Sequence, residues 1–270
     1  MRIMPSFPTP SPAIVRVVDL ETTGSRPPEH AVVEIGWQDV EAGQSEEPAT
    51  WRVSDERGAL LVDPGRPIPA QTSAIHHLVD EDVVGAPTWL NAATGVLGPP
   101  GRPLAAFAAH RADFERRWCV DALTGGRPWV CTGKCALRLW PDAPSFSNQV
   151  LRYWRRPGGI DRALALPAHR AGPDAYVTAH HLRDMLALAS LDQLVAWTRE
   201  PALLVRVPYG ANRGRRWSEV DDGFLDHLLS GGSEGDGDVR FTARRERERR
   251  ARERGGEGAP APTAGMGRLL

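Results

Sequence analysis

Lysine is almost missing from this chain. Lys134 is the only one, so nearly all of the 33 basic residues are arginines, set against 34 acidic residues and a formal net charge of -1. A balance this even excludes a globally basic polyanion binder and leaves local patches to be considered. Two readings of the arginine excess stand side by side: a coding bias, and a use for bidentate phosphate contacts. Cysteine is scarce too. Cys119, Cys131 and Cys135 are too few and too irregularly placed for a disulfide framework. The spacing of Cys131 and Cys135, with no Cys or His pair beside them, does not make a zinc site, and both are expected to be buried apolar residues. No apolar run approaches the length of a membrane-spanning helix. The start of the chain carries Pro5, Pro8, Pro10 and Pro12 but no apolar signal-peptide core. These absences together lead us to expect a soluble protein of a reducing compartment, the cytoplasm.

What is present, over 270 residues, is enough for one substantial core and a small second module. Strand-like runs fall at 14–19, 31–38, 58–63, 104–109 and 127–131, and helical patterns at about 112–121, 132–140, 147–155 and 174–197. Strands come mostly before helices, which predicts an α/β fold with a mixed five-stranded sheet flanked by helices. The Gly/Pro-rich stretch from Asn91 to Pro103 reads as an exposed loop. The expected organisation is a disordered leader over 1–12, a main domain over 13–200, a small C-terminal module over 204–254 and a disordered tail over 255–270. Within the module an amphipathic stretch, 218–229, is followed by a Gly/Ser/acidic linker, 230–237. A charged helix, 240–254, then carries eight Arg and three Glu. Its excess of positive charge, with Arg213, Arg215 and Arg216, is a candidate surface for nucleic acid, against the plainer reading of a solvated helix face.

The chemistry concentrates in Val17-Val18-Asp19-Leu20-Glu21-Thr22-Thr23-Gly24. Residues i and i+2 of a strand share a face, so Asp19 and Glu21 project together from the end of a buried strand. Two carboxylates on one face repel, and divalent cations relieve that repulsion. Two further segments add acids. In residues 104–118 an apolar strand ends at His110, and a helix opens with Asp113 and Glu115. In H-R-A-G-P-D-A, residues 169–175, Pro173 is expected at the first position of a helix, which places Asp174 in its first turn. His169 sits in the preceding loop, an imidazole able to take a proton from water near neutral pH.

In this order the three segments resemble the DEDD exonuclease superfamily (DnaQ-like), in its DEDDh branch. D-L-E-T-T-G is similar to the first motif, H-R-A-D-F-E to the second and H-R-A-G-P-D to the third. Within that superfamily the resemblance is greatest to the exodeoxyribonuclease X family. It extends through T-S-A-I-H-H-L (72–78), C-T-G-K-C-A-L-R-L-W-P (131–141), S-N-Q-V-L-R-Y (147–153), V-P-Y-G-A-N-R-G-R-R-W-S-E-V (207–220) and D-V-R-F-T-A-R (238–244), about 14–250 in all.

The resemblance implies a ribonuclease H-like fold and 3′→5′ hydrolysis with two Mg²⁺ (or Mn²⁺) ions. Asp19, Glu21, Glu115 and Asp174 would be the metal ligands, with His169 as general base. Thr22, Thr23, Gly24, Ser25, Arg26, His110 and Arg111 would meet the substrate. The partner implied is DNA with single-stranded or frayed 3′ ends; an exoribonuclease of the same superfamily, and a nucleic-acid-binding protein with weakened catalysis, are the competing readings. No membrane partner is implied, and the sequence does not set an oligomeric state.

Two departures from the family pattern matter. The second motif normally ends in Asp, so Glu115 brings one more methylene. A ligand acting through water tolerates that extension better than a direct Mg²⁺ ligand does. Asp113, some 200° round the helix, is the fallback acid. Arg111 replaces an Asn, losing a small capping side chain and gaining a guanidinium that reaches either substrate or solvent. Elsewhere plainer expectations prevail. His76 and His77 are read as helix-end or surface residues, and Trp129, Trp140 and Tyr153 as core. Packing or surface roles are expected for His180 and His181, and Glu34 is a neighbour of the site without an assigned role.

Overall fold

The computed structural model describes residues 13–43, 50–230 and 237–256. The expected leader, most of the linker and nearly all of the expected tail lie outside the described residues. The chain divides into two compact units, residues 1–200 and 201–270.

In the first unit the apolar run after Ala13 forms the central strand, β1 (Ile14–Thr22). It is followed by β2 (Val32–Ala42), β3 (Trp51–Leu61), α1 (Ala70–His76), α2 (Trp89–Leu97), β4 (Leu104–Ala109), α3 (Ala112–Glu115), α4 (Asp121–Thr124) and β5 (Trp129–Cys131). Four helices complete it: α5 (Thr132–Leu139), α6 (Asn148–Arg155), α7 (Ala171–Leu186) and α8 (Leu191–Arg199). The strand order is β3-β2-β1-β4-β5. β1 pairs antiparallel with β2, and β2 with β3, whereas β1, β4 and β5 run parallel. This is the mixed, ribonuclease H-like sheet that the motifs implied. The parallel pairing puts the C-terminal ends of β1 and β4 on one edge, where side chains from several elements can meet.

Alternation along β1 sorts its residues between two cores. Ile14, Val18 and Leu20 pack with α2 and the 107–119 segment, and Val15 and Val17 pack with α5, α7 and α8. Asp19 and Glu21 continue the second row and therefore face α7. The first row holds a fully buried cation. Arg16 is 1% exposed, donates to both carboxylate oxygens of its cross-strand partner Asp39 (2.7 and 2.9 Å) and reaches the carbonyl of Val96 on α2 at 2.5 Å. Arg102 adds a third bond to Asp39 and donates one to Glu41.

Several expected boundaries are corrected. β3 begins at Trp51, seven residues before Gly58, because this edge strand alternates exposed charged residues that mask its pattern. The supposed loop 91–103 contains most of α2, whose Ala92, Ala93, Val96 and Leu97 are buried at helical spacing. The helix expected over 112–121 breaks into α3 and α4, which lets Trp118 and Cys119 turn into the core. The expected 174–197 helix is two. α7 stops at Leu186, and the Ser190 side chain caps α8 by accepting the N–H of Gln193. Pro173 is the third residue of α7, not the first, and there too its missing N–H leaves no bond unmade. His76 closes α1, as the helix-end reading expected, but is buried instead of lying on the surface, its Nδ1 accepting from Leu78, and Tyr153 is 58% exposed instead of core. Cys119, Cys131 and Cys135 are buried free thiols, and Trp129 and Trp140 are core residues.

The second unit contains α9 (Asp222–Leu229) and α10 (Gly237–Gly256). Its own small core joins Val207, Trp217, Val220, Leu225, Leu228, Val239 and Ala243. Much of the charge on α10 is paired within the unit. Arg250 pairs with Glu246 and Asp222 and caps the carbonyls of Trp217 and Val220, while Arg247 bridges Asp222 and Asp226. These arginines hold the module together, so the surface left for nucleic acid is smaller than the charge count suggested. Among the described residues no helix is long and apolar enough to cross a membrane.

Arg16→Ala or Asp39→Ala should each destabilise the folded protein by about 3–5 kcal/mol, because removing one partner strands a buried charge. Urea denaturation of the full chain measures this; a loss under about 1 kcal/mol would show that the pair does not anchor the sheet.

Candidate active site

The turn after β1 is built for close packing. Thr22 Oγ1 donates to the Gly24 carbonyl at 2.6 Å, and Thr23 Oγ1 accepts the Ala31 N–H at 2.9 Å. A Cβ on Gly24 would lie 1.9 Å from the His30 ring. On β2, a Cβ at Gly36 would lie 2.1 Å from the Ala171 backbone, so only glycine lets the start of α7 settle on the sheet there. That contact brings α7 onto the strand row carrying Asp19, whose cross-strand partner is Gly36 itself.

Asp19, Glu21 and Asp174 consequently converge, each offering an oxygen within 4.8 Å of the others. They share a cleft of about 680 Å³ with His110, Arg111, Glu115 and His169. Glu115 is 4% exposed, and its buried Oε2 has no hydrogen-bond partner among the described residues. Asp113 points away, exposed, and pairs with Lys134 at 3.2 Å. Of the two candidate acids, the geometry brings Glu115 to the cluster. Asp174 is held from two sides. Its Oδ1 accepts from Gln149 (2.6 Å) and Asn148 (3.3 Å), and its Oδ2 accepts the backbone N–H of His169 at 2.7 Å. The His169 side chain is exposed at the cleft.

Crowding of acids in a desolvated place raises their proton affinity. Burial, then the charges of Asp174, Glu21, Glu115 and Glu34, hold Asp19 well above the usual carboxylate range. Burial, with Asp174 and Glu34, pushes Glu21 up to about 8, Arg170 opposing. Glu115 also rises to about 8, chiefly through burial. His110 behaves differently: burial lowers it to about 4, and its ring nitrogens are engaged by Thr132 Oγ1 (3.0 Å) and the Phe146 carbonyl (2.8 Å). It is a neutral wall of the cleft. Arg111 is exposed beside it. Thr22, Thr23 and Gly24 form the packed turn, and Ser25 and Arg26 are exposed beyond it, the Ser25 carbonyl accepting from Arg117 at 2.5 Å. None of these five lines the cleft directly.

Sequence reading missed Asn148 and Gln149, whose signal was only a polar pair opening a helix. It also left Glu34 without a role. Glu34 is 3% exposed and binds Arg170 and the Ala171 N–H, next to His169.

Exodeoxyribonuclease 10 of Escherichia coli strain K12 is 31% identical to this chain over 222 residues, 80% of the chain and 91% of that protein. The chain belongs to the exodeoxyribonuclease X family. A solved structure titled exonuclease X in complex with 5′ overhanging duplex DNA is 29% identical, covers 68% of the chain and 99% of its own length, and has a TM-score of 0.55. Escherichia coli exonuclease I in complex with a dA16 oligonucleotide shares the fold at 14% identity and a TM-score of 0.50, over 68% of this chain and 42% of that one. No protein-family model matches the chain.

The raised acids predict how this exodeoxyribonuclease X family member responds to pH. A carboxyl raised from 4.5 to about 8 in the folded state stabilises the fold below its unfolded value, and that contribution is lost as pH rises through about 8. Burial holds His110, His180 and His181 below their usual value, which works the other way up to about pH 6.5. Metal-free protein should therefore lose melting temperature between about pH 6.5 and about pH 8.5, and Mn²⁺ should restore more of it at the upper end, where fewer protons compete. Thermal melts in EDTA and in Mn²⁺ across this range test it; a Mn²⁺ effect independent of pH contradicts it.

Proposed function

We propose that the protein is a divalent-cation-dependent 3′→5′ exonuclease that removes nucleoside 5′-monophosphates from DNA ends, preferring single-stranded or frayed 3′ termini. The observation that carries this reading is the convergence of Asp19, Glu21 and Asp174 within 4.8 Å, with Glu115 and His169 in the same cleft of an exodeoxyribonuclease X family chain. An all-oxygen donor set suits hard cations such as Mg²⁺ or Mn²⁺. The unpartnered Oε2 of Glu115 fits a group that binds through water. Asp19, Glu21 and Asp174 would hold two such ions, with Glu115 supporting one of them. When bound, the ions supply Lewis acidity that acidifies water and neutralises charge on the phosphodiester.

The chain's own residues do the rest. His169, exposed to exchange protons with bulk solvent, accepts the proton of the attacking water at a ring nitrogen. Asn148 and Gln149 orient the Asp174 carboxylate that also fixes the His169 backbone. The Arg111 guanidinium offers paired donors to a phosphate at the cleft mouth. Ile75 and Phe114, lining the same cleft, give the terminal base an apolar surface. Ser25 and Arg26 stand beyond the turn, where a strand end would be gripped. Three buried thiols without a disulfide suit a reducing compartment, the cytoplasm.

Digestion of 3′-labelled DNA and matched RNA oligonucleotides, with Mg²⁺ or Mn²⁺ and against EDTA, tests the reading. Mononucleotide release from DNA that EDTA abolishes is expected; preference for RNA would move the protein to the exoribonucleases. Asp19→Asn and Asp174→Asn should each lower turnover by about 10³-fold or more, the equivalent of several kcal/mol of lost metal assistance. His169→Ala should cost about 10²–10⁴-fold. Near-normal turnover in either Asp variant is incompatible with the mechanism. Glu115→Asp should leave activity equal or raised, and a severe loss would show a cleft adapted to the longer side chain.

A further inference from the structure

The loop that presents His169 owes its shape to two residues outside the cleft. His169 has left-handed backbone, φ 59°. Such a conformation is costly for a non-glycine residue and persists only where its surroundings impose it. On one side the constraint is the His169 N–H bond to Asp174. On the other it comes from the sheet. Glu34 of β2, 3% exposed, accepts from Arg170 Nε at 2.9 Å and Nη2 at 2.7 Å, and from the Ala171 N–H at 2.9 Å. Three donors from the two residues following His169 thus converge on one buried carboxylate. Glu34 also sits directly across the strand pair from Glu21, so the loop is tied to the strands that carry the acids. Neither Glu34 nor Arg170 lines the cleft.

The geometry points to Glu34 and Arg170 as a positioning clamp that fixes the His169 loop, so that the imidazole faces the acidic cluster. The inference rests on the proposed nuclease reaction, in which His169 takes the proton from water. The clamp touches no reacting atom. Its charges also bear on Asp19 and Glu21, an effect that would be the same with or without His169. The positioning effect acts through His169, by holding the base in the geometry the proton transfer needs, and a small misplacement of such a group costs up to about 10²-fold in rate. Lysine at 170 keeps the charge but not the two-pronged bond.

The test uses the full chain with the substitutions Arg170→Ala, Arg170→Lys and Glu34→Gln, each also combined with His169→Ala. Glu34→Gln keeps an acceptor for the Ala171 N–H and guards against a variant that does not fold. Steady-state digestion of a single-stranded DNA oligonucleotide gives kcat and KM. Hydrogen exchange of the peptide spanning 166–172, measured without DNA or metal, reports on the loop itself. Arg170→Ala should lower kcat by about 10–100-fold with KM within about threefold, and Arg170→Lys should recover part of the loss. In the His169→Ala background the same change should cost less than about threefold, since the positioned group is gone. Exchange over 166–172 should be faster in Arg170→Ala.

Wild-type kcat in Arg170→Ala, an equal loss with and without His169, or unchanged exchange each overturns the clamp. If the wild-type protein releases no nucleotide, the nuclease reading fails and takes the catalytic half of the inference with it. Hydrogen exchange still reads the clamp in that event, so the two failures are told apart.

Discussion

The structure depends on holding several carboxylates together where water is scarce. Asp19, Glu21, Glu115 and Asp174 repel one another, and burial deepens the cost, as the raised proton affinities of the first three show. The fold imposes this by steric means. Gly36 has no side chain where the Ala171 backbone passes, so α7 seats on β2 and carries Asp174 to the row of Asp19. The parallel pairing of β1 with β4 brings Glu115 to the same edge, and the buried Arg16–Asp39 pair ties the opposite face of β1 to β2 and α2. Protons relieve such an arrangement, and on the proposed reading bound cations would do so instead, which would tie stability to ligation.

Hydrogen bonds around Asp174 convert this crowding into order. One oxygen is held by α6 through Gln149 and Asn148, and the other fixes the backbone of His169. Behind the loop, Glu34 and Arg170 tie the same segment to β2. Asp174, the His169 loop, α6 and Glu34 are therefore parts of one bonded network, although they come from distant stretches of sequence.

Those parts of the site that rest on local pattern were legible in the sequence. Asp19 and Glu21 follow from strand alternation at the end of an apolar run, and Asp174 from its place in the first turn of a helix. The order of the motifs carried the family resemblance. Elements that hide their pattern were not legible: β3 is an edge strand whose outward charges blur its period, and α2 carries glycine and lies against a Gly/Pro-rich stretch. Arg16 and Glu34 interrupt buried strands with charge, and only their partners across the fold, Asp39 and Arg170, explain why. Glu115 could be weighed against Asp113 but not separated from it, because the break after α3 and the Lys134 pair are tertiary facts. Arg247 and Arg250 of α10 looked available until their pairing with Asp222, Asp226 and Glu246 was visible.

The most direct measurement of the central claim is an anomalous difference map from a crystal of the protein soaked in Mn²⁺. Density bounded by the carboxylates of Asp19, Glu21 and Asp174, with Glu115 oriented toward it, is the expected result. Manganese bound elsewhere while this cleft stays vacant, or carboxylates turned away from one another, would contradict it.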